Sequence, residues 1–446
     1  MYRMLIMSFS ALLFVPTNPE DNINFTPIEE AFPMHWKAEM GNVTFRSNYI
    51  MNANEIIIGS NGKYYMDYSL RDEKSGVYII NRKNGKVIKH FGNEIIGDMD
   101  VTGMVRYKDR FYYGNDNEEF VCASIDGKEI WVKPTSGDIE HQPMLIYHQN
   151  NPMIIYATES GEVRAVSPEN GNTIWQYFTP DFTGWKPGDN RAAFKIKSYF
   201  SNTSSFYTKP ARADINNDGT DDLVYATRTG VLYAINGATG KLIWRNNHVS
   251  VSAIEKNPNT KNSFICVGTY NNSQEQNATY FFSINAKGEN SPHSKINNNY
   301  CSQLSVYFYG NEILINTEEY LYSFCQNKKT DSTDRKITYR RKDSWFNKEY
   351  DENRNSSGML FSNQSFNYKH FGKCIFNLIQ YDKRNNNKGF LEIISLKDKK
   401  IVDRFQLPYD SEMPPSIEDI NKDGKLDLLI NCRDGNLYCY DLGTQK

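Results

Sequence analysis

Three features of the sequence predict an all-β ring of repeated four-stranded sheets, a β-propeller. The chain repeats itself, each repeat carries three readable strand-like runs with turn residues between them, and a sustained helical period is largely absent. The clearest repeat pairs "YATESGEVRAVSPENGNTIW" (156–175) with "YATRTGVLYAINGATGKLIW" (225–244). Without gaps, at a constant offset of 69 residues, Tyr156, Ala157, Thr158, Gly161, Ala165, Gly171, Ile174 and Trp175 meet identical residues at Tyr225, Ala226, Thr227, Gly230, Ala234, Gly240, Ile243 and Trp244.

Weaker copies occupy 76–91, 120–132, 279–290, 319–329, 389–405 and 429–443. Each unit reads as a β-branched or aromatic run, a turn with Gly, an alternating strand, an Asn/Asp-x-x-x-Gly-Lys turn and a strand ending in an aromatic residue. Eight units are counted, with seven blades as the alternative if one unit is an insertion. The last unit stops at "YDLGTQK" without a final Trp strand, while "MHWKAEM" near the start is an orphan strand with Trp36. His35–Met40 is therefore expected to complete the last blade, closing the ring and removing a free sheet edge.

The chain has 446 residues, 51 basic and 53 acidic, a net charge of −2. So balanced a charge argues against general nucleic-acid binding. Aromatic residues make up 14%, which suits pleated packing surfaces. Seven cysteines are scattered, with no CxxC pair, and read as small buried apolar residues. Residues 1–17 read as a signal peptide, with Arg3 before a short apolar run from Met4 to Val15 that is too short to span a bilayer. An extracytoplasmic, periplasmic or secreted protein is expected. Residues 18–33 form a lead and 34–446 a single propeller domain, interrupted by insertions at 179–207 and 326–370.

The stretch 214–222 places Asp214, Asn216, Asp218, Gly219, Thr220 and Asp222 in the pattern D-x-[DN]-x-[DN]-G-x-x-D. A second copy, 205 residues on, has Asp419, Asn421, Asp423, Gly424, Lys425 and Asp427. Ca²⁺ takes six to eight hard oxygen ligands. Positions 1, 3 and 5 would supply side-chain oxygens, position 7 (Thr220 or Lys425) a carbonyl, and position 9 a closing carboxylate. A polar β-turn is the competing reading. The matching positions one blade earlier are Leu145, Tyr147, Gln149 and Met153, so the fold itself does not require the acids. Two structural Ca²⁺ sites are expected. No catalytic residue is assigned: there is no HxH or HxxxH cluster, no G-x-S-x-G and no P-loop.

The pattern from Gly230 to Trp244, "GVLYAINGATGKLIW", resembles the repeat of the pyrroloquinoline-quinone (PQQ)-like β-propeller family, and the acidic loops resemble the FG-GAP type of calcium loop. The resemblance runs from about residue 34 to the C-terminus and is strong in the units ending at Trp131, Trp175 and Trp244. It implies a closed ring of seven or eight blades. The family includes both non-enzymatic assembly lipoproteins and quinoprotein dehydrogenases. The lipid-anchoring Cys of the former and the vicinal Cys pair of many of the latter are missing here, so PQQ is not expected as a cofactor. The reading favours a monomeric, calcium-braced binding or assembly scaffold, with a protein or carbohydrate partner met by the aromatic and basic residues of the insertions. A PQQ-dependent dehydrogenase and a calcium-dependent polysaccharide-acting enzyme are the alternatives.

Overall fold

In the computed structural model, residues 25–446 are described apart from 63–72, 93–98, 183–205, 207, 228–229, 248–249, 273–274, 293, 298–302, 318–319, 328–331, 341–356, 382–388 and 446. The described strands form eight sheets, consecutive along the chain and antiparallel except for two short parallel pairings in that of blade 7. Blades 1 to 7 span residues 49–91, 104–134, 144–178, 211–247, 250–297, 306–340 and 357–407, and blade 8 spans 416–445 plus an N-terminal strand. Seven sheets have four strands; that of blade 7 gains three short strands, one from the N-terminal lead. The lead contributes Thr26–Pro27, paired parallel with 405–406, and a single helical turn, Ile28–Ala31, whose Ile28 is buried in the core between blades 7 and 8.

Closure occurs as the orphan strand predicted. Met34–Glu39 pairs antiparallel with the last strand, setting Trp36 against Cys439 and Glu39 against Asn436. The two middle strands of a blade are buried on both faces, while the outer strand is wet. In blade 4, Asp222–Ala226 is buried throughout, whereas Leu242–Asn247 is exposed at Leu242, Arg245 and Asn247. Sheets stacked face to face need apolar residues on both sides of their middle strands, which explains the short unbroken apolar runs. The eight hydrophobic clusters accordingly lie at the eight blade junctions, the one between blades 8 and 1 joining Trp36, Leu429 and Cys439 to Ile56 and Tyr78.

The recurring tryptophans act at these junctions. Trp36, Trp131, Trp175 and Trp244 each lie over a glycine in the next blade, respectively Gly85, Gly171, Gly240 and Gly288. In blade 1 Phe91 takes the same place over Gly127. These five glycines have φ between +69° and +80°, and a Cβ on any of them would stand within 2.9 Å of a ring carbon. Glycine is thus required twice at each, for its backbone and for the close approach. The indole nitrogens of Trp36, Trp175 and Trp244 donate to Arg82 O, Gly237 O and Ala286 O at 3.0, 3.0 and 2.9 Å. In blade 3 the carbonyl three residues before the docking glycine, Pro168 O, accepts from Tyr112 Oη at 3.0 Å instead. The strands of Trp175 and Trp244 bulge at equivalent positions, with Ile174 the extra residue opposite Ala165–Val166 and Ile243 opposite Ala234–Ile235.

Parts of the expected insertions are blade structure. Ser332–Arg340 is the outer strand of blade 6 and Ser357–Phe361 belongs to blade 7. Their repeat signature is too degenerate to read as strands without the sheet. Phe206 pairs with Thr227 and is buried against Tyr225. Trp185, Arg191, Phe194, Lys195, Lys197, Tyr199, Phe200, Arg341, Lys342, Trp345, Phe346 and Tyr350, and the expected signal peptide, lie outside the described residues. Cys122, Cys266, Cys374, Cys432 and Cys439 are buried free thiols. Among the described residues no helix is long and apolar enough to cross a membrane.

Candidate metal loops and central cavity

Both acidic loops join the first and second strands of their blades, blade 4 and blade 8. They share one backbone turn: Asn217 and Gly219 have φ of +61° and +84°, Lys422 and Gly424 +64° and +85°. Nothing lies within 4 Å of a Cβ at either glycine, so glycine serves φ alone.

In the blade 4 loop the side chains of positions 1, 3 and 5 fold back onto the turn. Asp214 accepts from Asp218 N and Gly219 N, both at 3.0 Å; Asn216 Oδ1 accepts from Asp218 N at 3.0 Å; Asp218 Oδ1 accepts from Thr220 N at 2.9 Å. Burial tends to raise the Asp218 pKa, but hydrogen bonds from Asn236, Asn216 and Thr220 outweigh it and hold the carboxyl below its usual range. Position 9, Asp222, is fully buried beneath the loop. Its Oδ2 accepts from Ile215 N and Asn216 N, and its Oδ1 from Asn236 Nδ2 and Gly237 N, at 2.9 to 3.3 Å. Burial raises its pKa while those backbone donors oppose the shift. Asp222 thus pins both ends of the loop, and its four acceptor positions are filled.

The blade 8 loop differs. Asn421 and Asp423 repeat the turn bonds, and Asp427 Oδ2 accepts from Ile420 N and Asn421 N at 2.8 and 3.2 Å. Asp419 Oδ1, however, is buried without a hydrogen-bond donor, and Asp427 Oδ1 has only His35 Nε2, at 3.2 Å. Oxygens left in this state suit a cation, and the donor set of carboxylate, amide and backbone oxygens is the hard set that Ca²⁺ prefers. Asp214, Asn216, Asp218 and the Thr220 carbonyl, and Asp419, Asn421, Asp423 and the Lys425 carbonyl, would hold the ion, with Asp222 and Asp427 closing each loop.

Each loop is also bolted to neighbouring blades. Asn262 Nδ2 from blade 5 donates to Asp214 O at 2.6 Å, Lys261 Nζ to Asn217 Oδ1 at 3.2 Å, and blade 3 reaches in with His148 Nδ1, 2.9 Å from Thr220 Oγ1. Buried Arg82 of blade 1 donates to Ile420 O, to Asp419 O at 2.6 Å and to Asn52 O at 2.9 Å. Sequence reading missed Arg82, Asn236, Asn262, His148 and His35. Only Asn236 carries a signal, because the 205-residue offset sets it on another polar residue, Asp441.

Beside the blade 4 loop lies a cavity of about 970 Å³. The first strands of blades 2 to 5 line it, with Val105, Met144, Tyr147, Arg212, Glu255 and Lys256, together with Asp214 and Asp221 of the loop. Arg212 pairs with Asp221 at 3.7 Å. Tyr147 is half exposed on its rim.

No curated protein sequence matches the chain. Among solved structures it is similar to Saccharomyces cerevisiae Sqt1, at 8% identity over 92% of this chain and 99% of that one, with a TM-score of 0.60. It is similar to a computationally designed protein, Ika8, at 10% identity over 92% and 99%, TM-score 0.55. It is also similar to the quinohemoprotein alcohol dehydrogenase of Comamonas testosteroni, at 11% identity over 93% and 77%, TM-score 0.52. At these identities the likeness is one of fold. Residues 73–183 and 159–276 match a family model described as outer membrane protein assembly factor BamB, a PQQ-like repeat. The repeats within residues 73–276 are therefore similar to those of the PQQ-like propellers.

Proposed function

We propose that the protein is an exported, calcium-braced propeller that binds a protein segment at the mouth of its ring. The cavity of about 970 Å³ carries this reading. It is built on four consecutive blades, mixes apolar and charged walls, and has the rigid-scaffold character on which recognition surfaces are commonly placed. The acidic loops support a structural role for the ion, since each is tied into neighbouring blades through its own backbone. The match to a family described as an outer membrane protein assembly factor agrees with a scaffold acting outside the cytoplasm.

A photo-crosslinking side chain at Tyr147 tests it. Covalent capture of one defined protein, lost on Arg212→Glu and absent when the probe sits at Ile88 on the outer edge, supports the scaffold. The quinoprotein alternative predicts saturable quinone binding in an absorbance titration. Such binding, abolished by changes to the cavity, would replace the scaffold with an enzyme.

A further inference from the structure

We infer that His35, Asp427 and Asp441 form a second kind of metal site, one that takes a borderline transition cation such as Zn²⁺ and staples the two ends of the chain together. Among the described residues these three are the group of His, Cys, Asp or Glu whose ligand atoms all lie within 4.8 Å of one another. His35 lies on the N-terminal strand Met34–Glu39, and Asp427 and Asp441 lie on the two C-terminal strands of blade 8. Any ion held by all three bridges the ring closure. The site shares only Asp427 with the acidic loop and stands whether or not that loop binds calcium.

Blade 4 shows how the site arises. The offset of 205 residues that superposes the blades sets Asp427 and Asp441 on Asp222 and Asn236, and strand register sets Trp36, paired with Cys439, on Trp244, paired with Ala234, and so His35 on Ile243. In blade 4 the buried Asp222 Oδ1 accepts from Asn236 Nδ2 and Gly237 N. In blade 8 the amide donor has become a carboxylate and the apolar neighbour an imidazole, so that neither an amide nor a backbone N–H reaches the fully buried Asp427 Oδ1 and its one neighbour there is His35 Nε2 at 3.2 Å. Asp427 is buried, Asp441 half-buried and His35 exposed, and two carboxylates facing one another here favour a cation between them. Lys425 Nζ stands 3.7 Å from Asp441 Oδ2 and is partly exposed. Asp441 Oδ1 accepts from Gly443 N at 2.6 Å.

The imidazole adds its own argument. His35 Nε2 lies 3.2 Å from Asp427 Oδ1 and 3.0 Å from Asn421 Nδ2. A ring nitrogen carries either one proton or one lone pair. Protonated, it satisfies Asp427 and faces the N–H of Asn421; unprotonated, it accepts from Asn421 and faces a carboxylate oxygen. Turning the amide over does not help, because Asn421 Oδ1 already accepts from Asp423 N at 2.9 Å. A cation between Nε2 and Oδ1 removes the conflict.

The spacing of His35 and Asp427 suits it. With ligands at about 2.0–2.2 Å, two donors on a tetrahedral Zn²⁺ stand about 3.3–3.5 Å apart, close to the 3.2 Å seen. An imidazole with two carboxylates is a donor set for Zn²⁺ or its neighbours rather than for Ca²⁺, and it leaves a fourth position for water.

The test uses the full-length, tag-free protein, stripped with chelator and titrated with Zn²⁺ by calorimetry, with the melting curve as a second readout. One equivalent should bind and raise the melting temperature. Asp441→Asn, which restores the amide of blade 4 and should fold, and His35→Gln should each weaken Zn²⁺ binding by more than about tenfold and lose the thermal gain. Asp214→Ala should leave the Zn²⁺ response whole while altering the response to Ca²⁺. Absence of Zn²⁺ binding to the folded wild type, or equal binding in Asp441→Asn and His35→Gln, overturns the site and leaves a plain His–Asp ion pair. Either result is read separately from the calcium arm.

Discussion

Replacing Gly240 by alanine tests the interblade dock, with Gly219 in the same blade as its control. Both glycines have positive φ, +70° and +84°. Alanine in that conformation costs about 1–2 kcal/mol, so both substitutions share this term. They differ in what the new methyl meets. At Gly219 it meets nothing within 4 Å; at Gly240 it would stand 2.7 Å from Cδ2 of Trp175. Carbon atoms rest at about 3.5–4.0 Å, so the indole must retreat by roughly 1 Å. Trp175 is 8% exposed, and its Nε1 donates to Gly237 O at 3.0 Å. Overpacking of this kind costs about 1–3 kcal/mol, and a lost hydrogen bond about 1 kcal/mol. Gly219→Ala should therefore cost about 1–2 kcal/mol and Gly240→Ala about 3–6 kcal/mol. Denaturant unfolding, followed by fluorescence and far-ultraviolet circular dichroism in the presence of chelator, measures both. In a Trp175→Ala background the cost of Gly240→Ala should fall to that of Gly219→Ala, a coupling of about 2 kcal/mol or more. Equal costs in the parent protein, or a cost at Gly240 indifferent to Trp175, would refute the docking argument.

Adding Ca²⁺ to chelator-stripped protein should raise the melting temperature, and the double change Asp214→Ala with Asp419→Ala should abolish that response; a melting curve unmoved by Ca²⁺ removes the calcium reading. Deleting residues 1–40 uncovers the strand ending the chain, so light scattering should show aggregation in place of a monodisperse species; an unchanged monomer would mean the clasp is dispensable. Arg82→Met leaves the carbonyls of Asn52, Asp419 and Ile420 without their donor. It should cost about 3 kcal/mol in denaturant unfolding, whereas a loss under about 1 kcal/mol would show that water replaces the guanidinium. His141 is fully buried, near the Arg46 charge and with its ring 5.6 Å from Tyr225; burial depresses its pKa from 6.5 to about 4. The unfolded chain takes up this proton near pH 6.5 and the folded protein only near pH 4, so stability is lost as pH falls across that window, by up to about 3 kcal/mol. His141→Gln should flatten the stability–pH curve there, and an unchanged acid slope would assign the loss to other groups.

What the sequence discloses follows from how each junction is held. Where blades dock by tryptophan on glycine, both partners sit at fixed places in the repeat, and a gapless comparison finds them. The clasp was legible for the same reason, since Trp36 is a docking residue without a blade. Blades 5 to 7 were faint because their junctions rest on contacts tied to no repeat position. Phe281 stacks on Phe324 with centroids 4.2 Å apart, Lys399 pairs with Glu312, and Tyr322 Oη donates to Ile296 O. Many large apolar residues serve such contacts equally well, so no spacing survives for the eye.

The acidic loops divide along the same line. Their own ligand pattern is local and was readable as an expectation. Their anchoring was not, because Arg82 lies 337 residues from Asp419, and only ring closure brings them together. The two loops also look equivalent in sequence up to position 9. They part at Asn236 and Asp441, a residue beyond the motif, and at His35, a residue from the other end of the chain. Asn236 is an amide that donates to the buried carboxylate beneath it, and Asp441 a carboxylate that has no proton to donate. One motif on one fold therefore gives a satisfied brace in blade 4 and an unsatisfied one at the seam. An ion bound at that seam, where the two ends of the chain meet in one blade, would tie His35 of the first strand to Asp427 and Asp441 of the last two.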